Sequence, residues 1–104
     1  MNIAIVGATG NVGRETLEVL EKKDLSIDNL YLLASSKSVG KKISFKGKDH
    51  EVFDLESFDF AKVKIAFFAA GGKISEKFAK KASKDCFVID GKNIALKVCE
   101  LPFI

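Results

Sequence analysis

One histidine and two cysteines leave this chain with almost nothing from which to build a metal centre. His50 has no companion at ligand spacing, and Cys86 and Cys99 stand apart with no CxxC pair, so neither a zinc site nor a thioredoxin-like redox motif is expected. Cys86 is expected inside a buried strand; Cys99 has no assigned place. No apolar run approaches the roughly 20 residues that a membrane helix needs, and Met1 to Val6 is too short for the core of a signal peptide. The expectation is a cytoplasmic protein with no membrane partner. The single proline, Pro102, falls in the last residues and argues against a helix there, and no internal repeat or low-complexity segment occurs.

Charge of one sign is also scarce. The net charge of +3 arises from 17 basic and 14 acidic residues that are interspersed. Lysines do gather at Lys37, Lys41, Lys42, Lys46 and Lys48, and again at Lys73, Lys77, Lys80, Lys81 and Lys84. The second group recurs at helical spacing beside Ile74, Phe78 and Ala82, which is the pattern of a solvated helix face. Without an aromatic platform or a reader motif these lysines do not indicate a nucleic-acid partner. At 104 residues, 47% hydrophobic and 30% charged, the composition is that of one globular domain and excludes a largely disordered chain.

What the chain does have is glycine at three chosen places. An apolar run from Asn2 to Val6 passes into Gly7, Gly10 and Gly13, a GxxGxxG spacing, and then into a helix that begins near Asn11 or Val12. Gly7 lets the chain turn sharply out of the strand, Gly10 leaves no Cβ between backbone and phosphate, and Gly13 lets the helix lie close on the sheet. The helix start directs free N–H groups and a positive dipole end at an anion, which is how a dinucleotide pyrophosphate is held. The same residues also suit a strand-to-helix turn with no ligand, in which Thr9 and Asn11 serve as caps. The two readings are compatible.

The remaining pattern is that of an α/β domain. Val12, Thr16, Val19 and Leu20, with Leu17 beside them, form the apolar face of a helix that ends near Lys22 or Lys23. Leu30 to Ala34 read as a second strand, closed by a polar loop at Ser35, Ser36, Lys37 and Ser38. Ile43, Phe45 and Val52 flank Lys46, Gly47, Lys48 and Asp49 as a β-hairpin would. Asp54 to Lys62 suggest a short helical turn, and Val63 to Ala70 a buried strand that stops at Gly71 and Gly72. Lys73 to Lys84 predict a second helix, and Phe87 to Ile89 a fourth buried strand closed by Asp90 and Gly91. The expected fold is Rossmann-type: a mostly parallel sheet with flanking helices and a β-hairpin interlude. Residues 1–90 would form the NAD(P)-binding domain and residues 91–104 a divergent tail, packed on the domain or trailing it.

A Rossmann domain selects its cofactor at the end of the second strand, where a carboxylate binds the ribose of NAD and a cation with hydroxyls accommodates the 2′-phosphate of NADP. No carboxylate stands there. Ser35, Ser36 and Ser38 can donate hydrogen bonds and Lys37 supplies charge, so NADP is favoured, the alternative being a polar surface loop. Asp28 lies before the strand and is poorly placed for NAD. Ala70, Gly71 and Gly72 would line the same crevice.

Taken together, Ala4 to Gly13, Leu32 to Lys42, Phe45 to Gly47, Ala70 to Gly72 and Val88 to Asp90 resemble the amino-terminal domain of bacterial aspartate-semialdehyde dehydrogenase, in matching order and spacing over residues 1–90. That family reductively dephosphorylates β-aspartyl phosphate with NADPH on the route to lysine, methionine and threonine. The resemblance implies that Gly7, Thr9, Gly10, Asn11 and Val12 hold the pyrophosphate and that Ser35, Ser36, Lys37 and Ser38 hold the 2′-phosphate. Lys37 stands where the family more often has arginine, which keeps the charge but loses the bidentate fork. Ala69 and Lys73 occupy positions where serine is common.

After Asp90 the chain departs from the family pattern. The expected asparagine, serine pair and phosphate-binding arginine are replaced by Gly91 to Leu96. The family's second domain carries a nucleophilic cysteine and an acid–base histidine, and neither Cys86, Cys99 nor His50 stands in those motifs. The resemblance thus implies an NADP-binding domain that is inactive alone, with an unrelated ending such as a frameshifted gene would give. A nucleotide-sensing or interaction module, or half of a split enzyme, is the alternative. An apolar surface left where the second domain would pack, partly covered by Leu101, Phe103 and Ile104, would favour self-association or a partner supplying that domain.

Overall fold

Strands buried on both faces need apolar residues at every position, and Ile3, Ala4, Ile5 and Val6 are all fully inaccessible. They form β1 (Asn2–Val6), the first element of a computed structural model that describes residues 2–22, 27–69 and 72–90. β1 pairs in parallel with β2 (Asn29–Ala34) on one side and with β5 (Ile65–Phe68) on the other. With β3 (Lys42–Phe45), β4 (Lys48–Asp54) and β6 (Phe87–Asp90) the sheet has six strands in the order β3-β4-β2-β1-β5-β6. Only β3 runs antiparallel. The mostly parallel, Rossmann-type sheet expected from the pattern is the one observed.

Each face carries its own core. Ile3, Ile5, Leu32, Val52, Ile65 and Phe67 pack with Leu17 and Leu20 of α1 (Asn11–Lys22). Ala4, Val6, Leu33, Ala66 and Phe68 pack with Phe78 and Ala82 of α2 (Gly72–Ser83). The second face is extended by rings: Phe60 stacks on Phe68 at 5.9 Å, and Phe58 bridges Phe60 and Tyr31 at 5.2 Å each.

α1 presents the face that its periodicity suggests at Thr16, Leu17 and Leu20, with Val19 partly buried against the core, and departs from it at Val12. Gly13, Thr16, Leu17 and Leu20 are buried, whereas Val12 is 42% exposed. The reason is steric. A Cβ at Gly13 would lie 2.3 Å from the Gly7 carbonyl oxygen and 2.8 Å from Ala8 Cα, so position 13 is the point of closest approach and turns position 12 outward. Thr16 is buried on this face at no polar cost, because its hydroxyl donates to the Val12 carbonyl at 2.8 Å.

The hairpin is present, with Lys46 (φ 52°) and Gly47 (φ 76°) both left-handed in its two-residue turn, as a type I′ turn requires. It is not a separate interlude. β4 continues past the hairpin and joins the main sheet in parallel beside β2, pairing Leu32 with Val52 and Ala34 with Asp54. The helical turn expected over Asp54 to Lys62 is two 3₁₀ turns, Leu55–Ser57 and Phe60–Lys62. Asp54 and Asp59 cap them, each accepting a backbone N–H at 3.0 Å.

Cys86 is a correction. It is half-buried in the turn before β6, not within the strand, because α2 ends at Ser83 and the chain folds back there, the Asp85 and Cys86 amides both donating to the Ala82 carbonyl. Its Sγ donates to the Ala82 carbonyl at 3.3 Å, and burial, with Asp85 nearby, pushes the thiol pKa up. A protonated, hydrogen-bonded thiol is a poor nucleophile. Ala70, Gly71, Cys99 and the tail from residue 91 lie outside the described residues, as does the side chain of Ile74.

His50 gives the fold a pH dependence. Half-buried with its ring edge-on to Phe45 at 6.1 Å, it has a pKa below 6.5, first through burial and then through Lys48, with Asp49 opposing. Between that lowered value and 6.5 the unfolded chain binds more protons than the folded one, so stability falls as the pH drops through this window and is fully present above it. Melting followed by circular dichroism at pH 7.5 and 5.5 should show a larger fall for the wild type than for His50→Gln. Equal falls would place the acid sensitivity elsewhere.

Candidate cofactor site

The carboxyl ends of β1, β2, β4 and β5 meet at one edge, and the chain reverses direction there, passing from β1 outward to β2 and later back to β5 on the other side. Such a switch point is where open parallel sheets bind ligands. The glycine turn sits on it. Gly7, at φ 82°, donates its N–H to the Leu33 carbonyl at 2.8 Å, and Ala8 donates to the same oxygen at 3.3 Å, tying the turn to the end of β2. Ala69 donates to Val6 at 2.8 Å, tying it to the end of β5.

The turn then leaves donors unused. Gly10 N–H bonds back to Gly7 at 3.1 Å, and the first bond into α1 runs from Arg14 N–H to the Gly10 carbonyl at 3.0 Å. Among the described residues no backbone acceptor meets the N–H groups of Asn11, Val12 and Gly13, as at any helix start that is not self-capped. Gly10 is exposed, has no left-handed φ, and a Cβ there would meet only the Gly7 oxygen at an ordinary 3.5 Å. The fold itself does not demand glycine at this position. Its missing side chain leaves open space at the exposed start of the helix. Thr9 is half-buried next to it, and Asn11 and Val12 are exposed on the first turn.

At the end of β2 the polar residues form a 3₁₀ turn, Ser36–Ser38, closed by Ser38 N–H on the Ser35 carbonyl at 2.9 Å. The Ser35 hydroxyl makes no capping bond. Ser35, Ser36 and Lys37 are exposed and Ser38 is half-buried. A cavity of about 270 Å³ opens beside this turn, walled by Ser35 and Ser36, by Asp54 at the end of β4 with Leu55 and Glu56 just after it, and by Lys77 and Phe78 of α2. Of the Ala70–Gly72 segment, Gly72 opens α2 and the other two residues lie outside the described region. Among the described residues no set of His, Cys, Asp and Glu is arranged to hold a metal, and no helix is long and apolar enough to cross a membrane.

Comparison with known proteins decides the family. The family model for the semialdehyde dehydrogenase NAD binding domain matches residues 2–93. The chain belongs to the semialdehyde dehydrogenase family. Aspartate-semialdehyde dehydrogenase from Legionella pneumophila is 45% identical over 105 aligned residues, and that from Rickettsia bellii 43% over 104, the alignments covering 100% and 99% of this chain. The crystal structure of aspartate semialdehyde dehydrogenase II from Vibrio cholerae, complexed with ASA, superposes with a TM-score of 0.83 at 47% identity over 86% of this chain. The chain spans 30% of the Legionella protein, 31% of the Rickettsia protein and 30% of the Vibrio chain.

Within this semialdehyde dehydrogenase domain, Gly7, Thr9, Gly10, Asn11 and Val12 form one continuous turn, and Ser35 and Ser36 share a cavity wall. Lys37 and Ser38 do not line that cavity. Asp54, Glu56, Lys77 and Phe78 line it and were not singled out from sequence. The parallel pairing of β4 with β2 brings Asp54 and Glu56 beside the residues after β2, and α2 supplies Lys77 and Phe78. The nearest signal in the sequence is Asp54 itself, a carboxylate that closes an alternating strand.

Proposed function

We propose that this chain binds NADP(H), with the pyrophosphate on the glycine turn and the 2′-phosphate at Ser35 to Ser38, as the nucleotide-binding part of an aspartate-semialdehyde dehydrogenase. One observation carries the reading: Gly10 is glycine where neither backbone angle nor packing requires it, beside the unused N–H groups of Asn11, Val12 and Gly13. Those residues fit a pyrophosphate, since charge-assisted bonds to backbone amides without a partner among the described residues and a positive helix end favour an anion there. The hydroxyls of Ser35, Ser36 and Ser38 and the ammonium of Lys37 support the phosphorylated cofactor. When bound, the cofactor would supply hydride chemistry for the reduction of β-aspartyl phosphate to aspartate semialdehyde; what this chain contributes is binding and orientation.

A span of about 30% of the relatives' length supports a reading in which nucleophile and acid–base groups come from residues other than these 104. The half-buried, hydrogen-bonded Cys86 agrees with that. Calorimetric titration tests the proposal: NADPH should bind at least about tenfold more tightly than NADH, and should raise the melting midpoint as any ligand specific to the folded state does. No binding of either at millimolar ligand would overturn it. The isolated 104 residues should give no turnover with aspartate semialdehyde, phosphate and NADP, and robust turnover would show that the catalytic groups are here.

A further inference from the structure

Lys37 carries the cation expected for a 2′-phosphate, yet the cavity beside Ser35 and Ser36 is walled by a different cation, Lys77. The Lys77 Nζ lies 3.6 Å from Glu56 Oε1 and 5.2 Å from the centre of the Phe78 ring. The two charged side chains are 68% and 74% exposed, so water screens their attraction and the pair costs little to separate. The neighbouring carboxylate is occupied differently: Asp54 Oδ1 accepts the Glu56 backbone N–H at 3.0 Å and caps its turn. Among the described residues, Glu56 is therefore the wall carboxylate whose side chain is held by a loose ion pair alone.

We propose that the Glu56–Lys77 pair sets the preference between phosphorylated and unphosphorylated dinucleotide, with Lys77 exchanging Glu56 for the 2′-phosphate. This deepens the cofactor reading and rests on it. A dianionic phosphate seated against the Ser35 and Ser36 hydroxyls outcompetes one solvated carboxylate for the ammonium, and Glu56 then turns to water. An unphosphorylated ribose offers no such anion; its 2′-hydroxyl can donate to Glu56, while Lys77 gains nothing. The two members of the pair thus favour opposite ligands, and their balance is a property of side chains from the 3₁₀ turn after β4 and from α2 in addition to the loop after β2.

Calorimetry with NADPH and NADH, repeated with 2′,5′-ADP and 5′-AMP, which differ only in the 2′-phosphate, tests this on the full chain. Lys77→Gln should weaken NADPH and 2′,5′-ADP about tenfold and leave NADH and 5′-AMP within about twofold, and it should flatten the salt dependence of NADPH binding. Glu56→Gln should tighten NADPH a few-fold. Both residues are exposed, and unchanged melting temperatures would show the variants intact. Wild-type binding of NADPH with Lys77→Gln affecting both ligand pairs equally, or neither, overturns the assignment to Lys77 alone. A wild-type chain that binds no dinucleotide overturns the cofactor reading and this inference with it.

Discussion

Gly13→Ala should destabilise this domain by about 3 kcal/mol or more, at the upper end of what overpacking costs. The added methyl would lie 2.3 Å from the Gly7 carbonyl oxygen, 2.8 Å from Ala8 Cα and 3.0 Å from the Ala8 carbonyl carbon, all of them backbone atoms. None can swing aside as a flexible side chain would. The turn is pinned to β2 through the Gly7 and Ala8 amides on Leu33, and Ala8 is fully buried, so relief must come from lifting α1 off the sheet. Lifting it opens the packing of Thr16, Leu17 and Leu20, and such loss is large against a total stability of roughly 5–15 kcal/mol. A fall in the melting midpoint of about 10–20 °C is the expected reading for a domain of this size. A midpoint unchanged within a degree or two would mean that the helix has slack at Gly13.

That clash also explains where the sequence was legible and where it was not. β1 and β5 could be read because both of their faces are covered, which forces consecutive apolar residues regardless of partner. The spacing of α1 could be read as amphipathic, and Thr16, Leu17 and Leu20 are buried as it implies, but periodicity weighs hydrophobicity and gives no weight to Gly13, the residue of closest approach. Val12 looks like core by its side chain and is turned out by the backbone contact one position later. β4 was legible as half of a hairpin because Lys46 and Gly47 make a local turn; its parallel pairing with β2 is a long-range fact with no local mark. The site inherits this division. Its glycine turn is contiguous in sequence and visible there, whereas Glu56 and Lys77 come beside Ser35 only through the folded chain.

Gly10→Ala should do the reverse of Gly13→Ala. The new Cβ meets only the Gly7 oxygen at 3.5 Å, and the position is exposed with no left-handed φ, so the fold accepts it. Alanine is a poorer residue than glycine just before a helix, a loss of about 0.5–1 kcal/mol, but it also restricts the unfolded chain, a gain of about 0.4–1 kcal/mol. The two offset, and the melting midpoint should move by no more than a few degrees. Ligand binding has no such compensation. The methyl adds bulk on the exposed side of the turn on which the pyrophosphate is proposed to lie, and the expected result is the loss of a phosphate hydrogen bond. Bonds to charged groups are worth about 1.5–3 kcal/mol each, so losing one weakens NADPH by roughly ten- to a hundredfold. Titration of NADPH against Gly10→Ala reads this directly, and wild-type affinity in that variant would put the pyrophosphate somewhere other than the glycine turn. Two glycines three residues apart would then be separated by experiment: Gly13 is required by the backbone of the empty domain, Gly10 by what the domain binds.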